Sequence, residues 1–344
     1  MKEKNYAASV TLQFVLLTLF TIFLFWILHR PSIIFEAKDK EPPLIQITPQ
    51  KIMQLGVDPG IIQVGLYIRD FPEFNIAEDT FTADITVWFR FNPIITPLKK
   101  VEKFKFDKAN IIEKSAPYIQ KEKDQMIFVR YNMKITFSAN LNYIYFPLDD
   151  HRIAFSLTNY LLSPKDTIFK SYKSDIFMNP DVEVPEWKLI GKAVKTGYIE
   201  DKLDPQYKEK YLYHPRVIFY LDFMRSGIRH LISIFIPLVL IFLIALFTFT
   251  FNPYTDLSNI IGISVASISA IIAQRFVIEG MSPSTGGLML SDKLFILFLV
   301  GCCIIFTVNI LGKKITSPYK NLITILLHLY IIAGFLYFLL PIIK

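Results

Sequence analysis

The stretch Asp256–Ser282, DLSNIIGISVASISAIIAQRFVIEGMS, decides the fold. It has the length of a membrane-spanning helix, about 20 residues or slightly more, but it is too polar to face lipid all round. Ser258, Ser264, Ser267 and Ser269 stand among the small residues Gly262, Ala266, Ala270 and Ala273, with Gln274, Arg275 and Glu279 near one end. Arg, Glu and Gln inside a bilayer each cost about 1–3 kcal/mol unless they meet protein or water. This helix must therefore touch protein or water along much of its length, and the remaining apolar stretches read as its surroundings.

Those stretches are Leu231–Phe251, Leu294–Leu311 and Leu322–Ile343, with a further uncharged run at Tyr6–Leu28. The Gly312–Lys320 joint carries Lys313, Lys314 and Lys320, whereas Ser282–Ser291 carries no positive charge. By the positive-inside rule the first is cytoplasmic and the second outside. Lys2 and Lys4 place the amino terminus inside as well, which puts the segment after Leu28 and the carboxyl terminus outside. The run at 6–28 is longer than the apolar core of a signal peptide, about 7–15 residues, and no small-x-small site follows it. The expectation is a retained anchor.

Between Glu36 and Met224 the chain is strand-like. In Thr80–Phe91 the residues Thr80, Thr82, Asp84, Thr86, Trp88 and Arg90 fall on one face, and Phe81, Ala83, Ile85, Val87, Phe89 and Phe91 on the other. That period of two is a strong strand signal. Weaker versions occur at 61–69, 126–137, 152–158, 187–196 and 216–224, separated by joints such as Asn92-Pro93, Asn179-Pro180 and Asp204-Pro205. The expected organisation is an anchor over 1–35, an antiparallel β-sandwich over 36–225 and a four-helix membrane bundle over 226–344.

Composition agrees. The 344 residues are 52% hydrophobic and 15% aromatic, which argues against one soluble domain. The net charge of +7 comes from scattered lysines, and no nucleic-acid partner is expected. Cys302 and Cys303 are adjacent within an apolar run and read as packing residues. No catalytic triad, phosphate-cradling loop or metal-ligand spacing is present, so neither an enzyme nor a cofactor is expected.

A β-sandwich followed by four helices with a polar second helix resembles the pentameric ligand-gated ion channels, in their prokaryotic, cysteine-free branch. GLYIRDFPEFNIAEDTFTADITVWFRF (Gly65–Phe91) is similar to the family's first two strands and their loop. FPLDDH (Phe146–His151) resembles its signature loop, with Leu148 and His151 replacing the commoner Phe and Gln, and Ala139 and Ile153 at the bracketing cysteine positions. Arg225, Pro237, Pro283 and Asp292 fall at the family's spacings around the first three bundle helices. The chain departs from the family in lacking the Trp-x-Pro binding segment between Phe91 and Lys114, and in carrying the extra helix at 6–28.

The resemblance implies a homopentamer in a bacterial inner membrane that passes small inorganic ions, gated from outside by a small molecule or protons. Counted back from Pro283, the pore face is Ser258, Gly262, Ala266, Ser269, Ala273, Phe276 and Gly280. A second stripe, Ser264, Ser267, Ile271 and Gln274, competes for that role, because small residues also pack helices closely. Phe276 is the expected hydrophobic gate. Asp256 at the inner mouth and Glu279 at the outer end favour cations, although the inner-end Glu of many cation-selective relatives is absent. Arg275 is placed to pair with Glu279. By resemblance, Asp149 and Arg225, with Glu78 or Glu73, and Pro147 in the signature loop, couple sandwich to helices. Trp88, Tyr160, Tyr198, Tyr207, Tyr211 and Tyr213 are the aromatic ligand-binding candidates, and His151 keeps proton gating open. The competing expectation is a non-conducting membrane receptor of the same architecture.

Overall fold

The computed structural model describes residues 2–28, 39–46, 48, 59–75, 78–202, 211–226, 229–283 and 286–339. It divides into two compact units. One comprises the helices together with residues 143–149, and the other spans 37–142 and 150–226.

The second unit is built from strands β1 (Ile45–Gln46), β2 (Gly60–Asn75), β3 (Thr80–Phe91), β4 (Lys105–Phe106), β5 (Ala109–Lys114), β6 (Tyr118–Lys121), β7 (Ile127–Ser138), β8 (Asp150–Thr158), β9 (Thr167–Lys170), β10 (Ile176–Met178), β11 (Trp187–Lys202) and β12 (Tyr211–Arg225). One sheet runs β1-β11-β12-β8-β4, and the other β10-β2-β3-β7-β5 with β6 on β7 and β9 on β2. The long strands pair antiparallel, as expected, but β9 and β10 join β2 in parallel. The short strands β1, β4, β6, β9 and β10 are too brief for a period of two to register, and β5 is exposed along most of its length.

The alternation in β3 sets the core. Phe81, Ala83, Ile85, Val87, Phe89 and Phe91 are all buried, and they meet Phe155, Val217, Phe219 and Leu221 of the facing sheet in one hydrophobic cluster. Each such large apolar side chain contributes about 1.5–3 kcal/mol through burial. An amino-terminal strap, residues 39–46, lies along the β8–β12–β11 sheet. Glu41 is bridged by Lys195 Nζ at 2.6 Å and Arg152 Nη1 at 3.2 Å, and Arg216 Nη1 donates to the Pro43 carbonyl at 3.0 Å. The Lys195 hydrogen bond holds the Glu41 carboxyl below its usual range. The clamp is therefore complete at neutral pH and is lost only as acid protonates Glu41 through that lowered value.

In the helical unit, α1 spans Lys2–Leu28, and a short helix in the sandwich, Leu98–Val101, is α2. The bundle is α3 (Arg229–Phe247), α4 (Leu257–Met281), α5 (Leu290–Ile310) and α6 (Ser317–Leu339). All four bundle helices are long and apolar enough to cross a membrane. α3 ends in a tighter turn at Thr248–Thr250, and Gln13 Nε2 of α1 donates to the Leu246 carbonyl at 3.2 Å. That bond occupies a carbonyl near the helix end, where intrahelical donors run out. Phe20 of α1 is buried with its ring edge-on to His328 at 6.2 Å. Helices α5 and α6 begin about one turn earlier than the apolar pattern suggests. Asp292 accepts the Met289 N–H at 3.0 Å at the start of α5, and Pro318 sits in the first turn of α6, where a missing donor costs little.

The two faces of β3 make opposite predictions. Phe89→Ala should cost about 3–5 kcal/mol, whereas Thr86→Ala, which loses only an exposed hydrogen bond to Asn132, should cost about 1 kcal/mol or less. Thermal melting of the purified protein checks this; equal shifts would contradict the assigned core.

Candidate functional site

Helix α4 is fixed by its polar stripe. Ile260, Ser264, Ser267, Ile271, Gln274 and Ile278 are buried against the bundle. Asn309 of α5 is the hub: its Nδ2 donates to Ser264 Oγ at 2.8 Å and to Thr248 Oγ1 at 2.7 Å, tying α5 to α4 and to the end of α3. Gln274 Nε2 donates to the Ser233 carbonyl of α3 at 2.9 Å. Ser264 and Ser267 also donate back to the carbonyls of Ile260 and Ile263. Polar atoms in a membrane bundle must find such partners, and each interhelical bond is worth about 0.6–2 kcal/mol.

The opposite face has a different character. Ser258, Gly262, Ala266, Ser269, Ala273, Phe276 and Gly280 are exposed in the single chain, and a Cβ added at Gly262 or Gly280 would meet nothing within 4 Å. Phe276 is 71% exposed, unusual for a large ring in so small-sided a row. Asp256, at the helix start, accepts a hydrogen bond from Thr255 Oγ1 at 2.7 Å, and Glu279 is exposed near the far end.

Arg275 does not pair with Glu279. Its Nη1 instead makes an ion pair with Asp292 Oδ1 of α5. A neighbouring carboxylate held rigidly at a helix start wins over one on a freely rotating side chain of the same helix. The same start of α5 is met by the loop over residues 143–149. The carbonyls of Ile144 and Phe146 accept the N–H groups of Leu290 and Ser291 at 2.8 and 3.1 Å, which a helix start leaves without intrahelical partners. The Phe146 ring is buried, 6.0 Å from His230 of α3, and Pro147, buried, follows a cis peptide bond. One locus thus gathers the loop, the first turn of α5 and the residue preceding Phe276.

The other sequence-derived positions fall in both units. Asp149 is 2% exposed and sits in the helical unit. In the sandwich unit, Arg225 has the Glu186 carboxylate at 3.4 Å and the Trp187 ring at 4.4 Å. Glu78 is exposed, its N–H bonded to Asn75, and Glu73 approaches Thr82. Trp88 lies on the outer face of β3, over Gly65, where a Cβ would stand 2.0 Å from the indole; Phe128 and Arg90 flank it at 5.7 and 5.8 Å. Tyr160, in the turn after β8, packs 5.1 Å from His214, and Tyr198 lies 5.3 Å from Tyr213, with His214, Tyr198 and Tyr213 on the other sheet. Within one chain Trp88 and these tyrosines form no common cage. Tyr207 lies outside the described residues, and only the backbone of Tyr211 is described, at the start of β12. His151 is buried rather than solvated, with Nδ1 3.3 Å from Asp39. Asn309 and Asp39 went unnoticed in the sequence; a lone amide in an apolar span carries a signal, since it must be paired, but Asp39 carries none.

No family model matches the chain. Over 196 residues, 54% of its length, it is 21% identical to the acetylcholine receptor subunit beta of Rattus norvegicus. The chain is distantly similar to a receptor subunit. The match spans 38% of that subunit's own length.

Asp292→Ala removes both the partner of Arg275 and the acceptor for the Met289 N–H, whereas Arg275→Gln removes only the charge. Asp292→Ala should therefore be the more destabilising, with a coupling of about 0.5–3 kcal/mol in the double-mutant cycle. Additive, equal effects on thermal melting would contradict the arrangement.

Proposed function

We propose that the chain is a subunit of a pentameric ligand-gated ion channel, with five copies of α4 surrounding a water-filled path. The carrying observation is the division of labour on α4. Its amide-bearing stripe is consumed by bonds to α3 and α5, while the row from Ser258 to Gly280 is small, hydroxyl-bearing and open. The distant similarity to a receptor subunit supports the same reading.

In this reading Phe276 is the gate. Five phenyl rings at one level make a constriction that dewets when closed, and small residues on either side keep the rest of the path wet. Rings of Asp256 and Glu279 favour cations. The subunit lies in a bacterial inner membrane, with α1 retained as an additional span, the amino terminus inside, and the sandwich and carboxyl terminus outside. A small molecule or protons act on the sandwich, with Tyr160, Tyr198, Tyr207, Tyr211, Tyr213 and Trp88 as candidate contacts across subunits. Asp149 and Arg225, with Glu78 or Glu73 from the first loop and Pro147 of the signature loop, carry the signal. The 143–149 loop, by capping α5, reaches α4 through the Asp292–Arg275 pair.

Native mass and ion flux from liposomes test the proposal together. A pentamer with agonist- or acid-stimulated cation flux is expected, and Phe276→Ala should raise the closed-state leak. A monomer would overturn it. A pentamer with no flux under any stimulus would favour the non-conducting receptor.

A further inference from the structure

We propose that the sandwich holds a site for a small carboxylic acid, in the cavity between the strap and the free edge of β8. The cavity measures about 300 Å³, the size of a compact ligand pocket. Part of its wall is apolar: Ile153 and the rings of Phe81 and Phe137, stacked 5.2 Å apart, line it. Pro42 and Pro43 of the strap line it as well.

Two features ask for an acceptor. The first is the edge of β8. β4 pairs only with Leu157 and Thr158 of this edge. Arg152 N–H is satisfied by Asp39 Oδ2 at 2.6 Å, and the Ser156 carbonyl by the Asp107 N–H at 2.9 Å. By the alternation of an antiparallel ladder, the Ala154 amide between them points the same way, out from the sheet. No strand or side chain among the described residues takes it up, so this half-buried amide is left to donate into the cavity. The second is Ser156, which lines the cavity at 3% exposure and whose hydroxyl has no partner.

Charge selects the class. Asp39 accepts from Asn142 N–H and Arg152 N–H and faces His151. Arg152 is held by Asp222 and Glu41, and Asp107 by Arg216. The lining charges left outside any salt bridge, among the described residues, are Lys40 and Lys108, both exposed at the rim. A carboxylate would take the Ala154 N–H and the Ser156 hydroxyl within reach of these ammonium groups, with its apolar body against Phe81 and Phe137. An amine of the same shape would meet two cations that stand outside any salt bridge.

Thermal melting and titration calorimetry of the full-length protein in detergent, with benzoate, benzylamine and benzyl alcohol as probes, test this. Benzoate should give a saturable stabilisation that the other two do not give at the same concentration. Lys40→Glu/Lys108→Glu, a surface change that leaves the core intact, should weaken benzoate about tenfold or more. Ala154→Leu should abolish it by filling the space. Equal responses to the three probes, preference for the amine, or benzoate affinity unchanged in the double lysine variant would overturn the site. The assay reads binding alone, so its outcome does not depend on whether the protein conducts.

Discussion

A polar atom in a membrane helix has to be satisfied by protein or by water, and the architecture of the helical unit follows from how α4 meets that demand. The Asn309 amide reaches two hydroxyls on different helices at once, and Gln274 reaches the carbonyl of Ser233. These bonds fix the rotation of α4 about its own axis. Once that rotation is set, the face from Ser258 to Gly280 has no role in packing the single chain. A row of glycine, alanine and serine is a poor surface for lipid, because it offers little apolar area and leaves hydroxyls exposed. It suits either close approach of another helix or a column of water, and the isolated Phe276 in that row suits a constriction.

The start of α5 shows the same economy of partners. Four N–H groups need acceptors at any helix start. Here the Asp292 carboxylate serves Met289, and the carbonyls of Ile144 and Phe146 serve Leu290 and Ser291. Asp292 also holds Arg275, so movement of the loop changes the surroundings of the residue beside Phe276 without any long-range chain of contacts.

Much of this was legible in the sequence. The period-two pattern of 80–91 named the core face of β3 residue by residue, because a strand buried on one side forces alternation. The hydropathy of the chain marked the bundle helices to within about a turn and a half. The choice between the two stripes of α4 was not legible, since serine and small residues satisfy both packing and wetting. The burial of Ser264, Ser267 and Gln274 came only with the partners on α3 and α5. The pairing of Arg275 with Asp292 was hidden for a related reason: seventeen positions separate them, while Glu279 lies one turn away. The strap could not be read at all, because its anchors, Asp39 with Arg152 and Glu41 with Lys195, join segments more than a hundred residues apart.

If five copies of α4 surround the path, the open face of α4 is wet and the amide-bearing face is dry in the assembled protein. Accessibility to a membrane-impermeant, thiol-reactive cation in reconstituted protein tests it most directly, with Cys302 and Cys303 replaced by Ala as background. Cysteines at Ser269 and Ala273 should react from water while a cysteine at Ser267 should not. Reaction at Ser267, with protection at Ser269 and Ala273, would contradict it.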